Sequence, residues 1–143
     1  MSDRTTRLVM AALAVAGIGV AGYLTYVHYA GVSPICATGG GCETVQKSSY
    51  SEIGGVPVAI LGLAGYVAIL AGLFLPGDAT RLWTAALALI GAGFSAYLTY
   101  LELFVIDAIC QWCVASAVIM TVLAGLAAVR LVRAPPPAEP AVG

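Results

Sequence analysis

Ala108-Ile-Cys-Gln-Trp-Cys-Val-Ala-Ser-Ala-Val-Ile-Met-Thr-Val-Leu-Ala-Gly-Leu-Ala-Ala-Val129 runs for 22 residues without an Asp, Glu, Lys or Arg before Arg130 ends it. A helix needs about 20 mostly apolar residues to cross a hydrocarbon core about 30 Å thick, so this stretch is long enough to span a membrane. Three others lie upstream: Leu8 to Cys42, Ile53 to Gly77 and Leu82 to Leu101 are also free of charge. All are solidly apolar rather than alternating, which excludes a β-barrel. In lipid, a helix is then the structure that satisfies the backbone. The 143-residue chain is 61% hydrophobic and 9% charged, where an ordinary soluble domain carries roughly a quarter charged residues. Too little polar surface remains for a water-facing fold, and a net charge of −1 with no basic run offers nothing to nucleic acid. The expected architecture is an all-α integral membrane bundle of four transmembrane helices, at about 8–30, 56–75, 82–104 and 109–132.

The basic residues set a direction. Arg4 and Arg7 precede the first span, Arg81 opens the third, and Arg130 and Arg133 close the fourth, leaving Lys47 alone on the other side. The positive-inside rule then places both termini and the 76–81 turn in the cytoplasm, and the loop at about 31–55 outside. The tail from Ala134 to Gly143 is Pro-rich, cannot continue a helix and is expected to be disordered. The first span exceeds the 7–15-residue apolar core of a signal peptide. It also has a twin: Gly17-Ile-Gly-Val-Ala-Gly-Tyr-Leu-Thr-Tyr26 aligns with Gly91-Ala-Gly-Phe-Ser-Ala-Tyr-Leu-Thr-Tyr100, and the same offset carries Cys36 onto Cys110. A duplication explains both. Gly17, Gly19, Gly62, Gly65, Gly91 and Gly93 are read as close-packing positions between helices.

All four cysteines, Cys36, Cys42, Cys110 and Cys113, fall in or beside the outward segments, where disulfide chemistry is allowed. Three pairings exist, and local spacing favours Cys36 with Cys42 and Cys110 with Cys113. Cys110-Gln-Trp-Cys113 sits where the fourth helix begins, and unsatisfied N–H groups there and the positive helix end favour a thiolate. Cys113, one turn inside, is placed to meet a lipid-soluble oxidant. Gly39-Gly-Gly41 makes the segment around the first pair mobile, as exchange with an outside partner requires. Two purely structural disulfides and a four-cysteine zinc site are the competing readings. The oxidising face and the lack of a nearby His argue against zinc, so no metal is expected.

Four spans, a glycine-rich outer loop with two cysteines, Ser48, Gly55-Val-Pro57, Gly62, Tyr66 and a Cys-x-x-Cys opening the last helix together resemble the vitamin K epoxide reductase family. The likeness is to its bacterial members and covers roughly residues 8–132. It implies that electrons pass from a reduced thioredoxin-fold partner to Cys36, from Cys42 to Cys110, and from Cys113 to a quinone of the menaquinone or ubiquinone type, supporting disulfide bond formation. It also implies that the Ser48 hydroxyl donates a hydrogen bond beside the site, and that residues 46–55 form a short amphipathic half-helix as a lid. Val58 and Ala117 stand where animal members hold vitamin K with an asparagine and a tyrosine, which favours a plain quinone over an epoxide. Many bacterial members carry a fused thioredoxin-like domain. This chain ends at Gly143, so a separate periplasmic or extracytoplasmic partner is expected.

A quinone pocket should be lined by apolar and aromatic groups in the outer halves of the helices. The expected contacts are Tyr66, Tyr97, Phe104 and Trp112, with Tyr23, Tyr26 and Tyr100 as further candidates. Glu102 and Asp107 read as solvated acids and His28 as an interfacial side chain, each with a proton-handling role as the alternative. Two other functions fit the same pattern: a quinone or vitamin K epoxide reductase whose useful product is the reduced ring, and a non-enzymatic tetraspan scaffold with structural disulfides.

Overall fold

The structure, a computed structural model, describes residues 3–31, 52–75, 79–106 and 110–133. Four α-helices lie among the described residues: α1 (Asp3–Ala30), α2 (Val58–Phe74), α3 (Ala79–Leu101) and α4 (Gln111–Val132). A π turn, Glu102–Ile106, continues α3, and a two-stranded hairpin of β1 (Glu52–Ile53) and β2 (Val56–Pro57) leads into α2. α1 packs on α2 and α4, and α3 packs on the same two helices, so the four close into a bundle. Arg4–Ala30, Ala79–Ile106 and Gln111–Val132 are each long and apolar enough to cross a membrane. α2 is a shorter apolar helix of 17 residues, about 26 Å long at 1.5 Å per residue.

Packing is inverted relative to a water-soluble domain. Large apolar side chains such as Val15, Leu82, Ile90 and Val118 point outward, while Ala21, Ala85, Ala88, Ala124 and Ala127 fill the interior around Tyr66, Ile69 and Leu123. Hydrocarbon outside is as apolar as the core, so leucine gains nothing by turning inward, and small residues let backbones approach. Three glycines mark the closest approaches. A Cβ on Gly17 of α1 would overlap the ring of Tyr66 on α2. One on Gly72 of α2 would lie 2.8 Å from Thr84 Oγ1 on α3, and one on Gly91 of α3 would lie 2.8 Å from Met120 Sδ on α4.

The two repeated segments have the same local structure. Thr25 Oγ1 donates to the Ala21 carbonyl at 2.8 Å, and Thr99 Oγ1 donates to the Ser95 carbonyl at 2.9 Å. Gly17 and Gly91 each receive a large side chain from the following helix. The other glycines read as packing positions differ. A Cβ at Gly19, Gly62, Gly65 or Gly93 would meet nothing within 4 Å.

The helix ends depart from the charge-bounded spans for physical reasons. α1 begins at Asp3 because a helix continues past the hydrocarbon into water, carrying Arg4 and Arg7 with it. The half-helix expected over 46–55 is not formed at 52–55. Gly54 and Gly55 have φ of 59° and 83°, the left-handed pair of a tight hairpin turn, and they set Ile53 opposite Val56 instead. Residues 46–51, the 134–143 tail, Cys36, Cys42, Ser48 and Asp107 lie outside the described residues. At the opposite end from the hairpin, Arg81 Nη1 donates to the Arg130 carbonyl at 3.0 Å, tying the start of α3 to the last turn of α4.

Gly17→Ala is expected to destabilise the bundle by about 1–3 kcal/mol through overpacking. Gly19→Ala should cost nothing and gain up to about 1 kcal/mol. Thermal unfolding of both variants in detergent checks the contrast.

Candidate active site

Cys110 is fully buried and serves as the N-cap of α4. Its carbonyl accepts the Val114 N–H at 3.0 Å, and its Sγ accepts the Cys113 N–H at 3.3 Å. That sulfur therefore stands at the positive end of α4, where a negative charge is favoured. Trp112 packs against Cys110 from the same turn and stacks on Tyr23 of α1 with ring centroids 4.9 Å apart. The start of α4 is thus braced against α1.

Cys113 is half-buried and faces a cavity of about 370 Å³. The volume falls in the range of small-molecule sites, about 300–1,000 Å³. All four helices contribute to its walls, from Leu24 on α1, Gly62 and Gly65 on α2, and Phe94 and Leu98 on α3 to Met120 on α4. The walls are apolar except where Ser95, Thr99, Glu102, Cys113 and Ser116 reach them. Gly62 and Gly65 act here by what they lack, since side chains at these two positions would take up cavity space. Leu61 and Ile90 line the cavity and are also 44% and 70% exposed, so it reaches the outer face between α2 and α3.

Glu102 departs from the solvated acid that its position in the sequence suggests, with proton handling as the alternative. It is 3% exposed. Its Oε2 accepts the Cys110 N–H at 3.1 Å, and its carboxyl also hydrogen-bonds the Cys113 side chain. The π turn that begins at Glu102 ends α3 beside the start of α4, and these contacts close against it. Wide turns of this kind are frequent at functional sites.

The chain belongs to the vitamin K epoxide reductase family. The family's sequence model matches residues 8–128, nearly the whole described bundle. Membership makes the chain a membrane oxidoreductase of the quinone or vitamin K epoxide type, in a family whose enzymes use quinones. Cys110 and Cys113, a close pair opening the last helix, lie between a buried helix start and an apolar cavity.

The aromatic candidates take several positions. Tyr66 is fully buried in the core, and its hydroxyl bonds Ser116, at 2.8 Å from both Oγ and the carbonyl oxygen. Ser116 lies one turn beyond Cys113 and lines the cavity. Tyr66 thus holds the wall in place without being part of it. Tyr97 is 51% exposed and packs against Phe94, and Phe104 is 69% exposed and stacks on Tyr100 at 5.2 Å. Both rings face the surroundings, and Phe94 contributes the aromatic ring that lines the cavity from α3. His28 is half-buried with its ring edge-on to Tyr29. Val58, at the start of α2, also reaches the cavity.

Tyr66→Phe and Ser116→Ala should each lower stability by about 0.5–1.5 kcal/mol. The double variant should lose little more than Tyr66→Phe alone, because Ser116→Ala removes only the Oγ contact, which Tyr66→Phe removes along with the bond to the carbonyl. A double-mutant cycle of thermal unfolding measures the coupling.

Proposed function

We propose that this protein is a thiol:quinone oxidoreductase that regenerates a disulfide-forming catalyst. In this reading, a reduced thioredoxin-fold partner delivers electrons to Cys36 and Cys42, in the segment between α1 and β1. Cys42 exchanges with Cys110, and the Cys110–Cys113 pair passes two electrons and two protons to a quinone of the menaquinone or ubiquinone type. The single observation that carries the reading is Cys113 in the wall of an apolar cavity, one turn from a buried cysteine that caps its helix. The cavity's reach to the outer face between Leu61 and Ile90 supports access for a lipid-borne ring.

The residues present fit a quinone. The walls offer apolar faces to the ring from α2, α3 and α4, and Ser95, Thr99 and Glu102 lie where ring oxygens need polar partners. The quinone, when bound, supplies a two-electron sink well above thiol potentials, and about 30 mV of difference is worth about 1.4 kcal/mol. The protein orients Cys113 toward the ring, keeps Cys110 away from lipid, and excludes water from the exchange. Val58, where animal relatives use an asparagine, adds no hydrogen-bonding group to the cavity, which supports a plain quinone over an epoxide. With the arginines on the cytoplasmic side, the cysteines face the periplasm or its equivalent, where the partner resides.

The test is reduction of a short-tail ubiquinone and a short-tail menaquinone by the purified protein in detergent, with a reduced thioredoxin-fold protein as donor. Cys113→Ala is expected to lower kcat/KM by at least about 10³-fold with any donor. Cys36→Ala should abolish turnover with the protein donor and leave turnover with dithiothreitol intact. Wild-type protein that reduces neither quinone overturns the assignment and leaves the cysteines a structural role.

A further inference from the structure

Glu102 has so far been given only the part of a polar wall group, yet it is a buried acid. A buried carboxylate is expensive unless paired, and an ionisable group within membrane-spanning structure points to function. Its contacts are with the redox pair itself: the Cys110 N–H at 3.1 Å and the Cys113 side chain. It also lines the same cavity as Cys113. One carboxyl group therefore touches the thiol that must lose a proton and faces the space where a proton must be delivered.

Resting on the reading of Cys110 and Cys113 as the pair that serves the quinone, we propose that Glu102 is the acid–base group of that step. Its carboxylate takes the Cys113 proton and hands it to a quinone oxygen across the cavity. In the balanced step, the Cys113 S–H bond breaks and an O–H bond forms on Glu102. A Cys110–Cys113 S–S bond then forms as two electrons leave the pair. Glu102 gives its proton to the cavity side and ends ionised, as it began. The second proton is the one that Cys110 loses, so a dithiol and a quinone become a disulfide and a hydroquinone. The Cys110 N–H fixes the carboxyl while its charge changes. Among the described residues lining the cavity, Glu102 and Cys113 are the ones that titrate. α4 adds Cys110, and α1 presents Tyr23 to this helix start through Trp112. β2 and α2 contribute only apolar and glycine positions, Pro57 from β2 and Val58 to Gly65 from α2.

Glu102→Gln keeps a hydrogen-bond acceptor for the Cys110 N–H and removes the proton acceptor. Two readouts test it. The first is dithiothreitol-driven reduction of a short-tail ubiquinone in detergent. The second is alkylation of Cys113 by N-ethylmaleimide in the reduced protein, located by mass mapping, which involves no quinone. The expected result is a loss of about 10²–10⁴-fold in turnover and slower alkylation. Both rates should climb with pH across a range where the wild type is flat, as hydroxide takes over from the carboxylate. Glu102→Asp should turn over slowly but keep the wild-type pH profile, and it serves if the glutamine variant does not fold. Wild-type rates and profiles in Glu102→Gln overturn the proposal, as does an aspartate variant whose rate climbs with pH. A wild type that reduces no quinone, with alkylation still slowed in Glu102→Gln, overturns the quinone reading and retains Glu102 as the base for Cys113.

Discussion

Lipid gives two apolar helices no reason to touch. Everything in this structure follows from how the chain meets that constraint. The helices associate where something better than lipid is available, which here means backbone approach at a missing Cβ. Tyr66 against Gly17, Thr84 against Gly72 and Met120 against Gly91 form a chain of such contacts from α1 to α4. Each places a large or polar side chain where a glycine leaves room, and the alanine-rich interior completes the fit. Many of the leucines, isoleucines and valines are left to face outward, among them Val15, Leu82, Ile90 and Val118. The bundle is held by a few close approaches, which leaves it free to be loosely filled elsewhere.

That freedom makes the site possible. Gly62 and Gly65 meet no neighbour, and the space they leave is bounded by all four helices and reaches the outer face at Leu61 and Ile90. At its end nearest the start of α4, the polar groups converge: a sulfur capping a helix, a second sulfur in the cavity wall, and a carboxyl touching both residues. In the proposed function, a thiol pair exchanging with a lipid-borne ring would need a dry path on one side and a helix end on the other. The junction of α3 and α4 provides the two within one turn of backbone.

Much of this was legible in the chain. The spans could be read from where charges stop, because hydrocarbon tolerates none in passing, and the Cys-x-x-Cys marked the start of α4. The Gly17–Tyr26 and Gly91–Tyr100 twin foretold two segments with the same threonine back-bond and the same kind of glycine contact. What stayed hidden depends on which way a side chain faces. When every face of a helix is apolar, its periodicity does not say which ring turns inward, so Tyr97 and Phe104 could not be told apart from Phe94. Glu102 at the end of a span looks like any solvated acid, because its burial comes from Cys110, eight residues on, folding back over it. The hairpin did leave a signal, Gly54-Gly55 between Ile53 and Val56, but the expected lid helix overrode it.

The order of the helices along the chain has a consequence for biogenesis. A membrane protein is inserted from its N-terminus, and α1 meets α2 through Gly17 and Tyr66 before α3 exists. The segment that carries Cys36 and Cys42 lies between these two helices in the chain. The second sulfur pair and its acid have no such early partner. Glu102 emerges at the end of α3, and the N–H and thiol it binds belong to the last helix made. A nascent or truncated chain that stops before α4 therefore lacks the cavity wall that Cys113, Ser116 and Met120 supply. The redox activity proposed for the chain would thus require all four described helices, and a chain cut before Gln111 is expected to carry none of it.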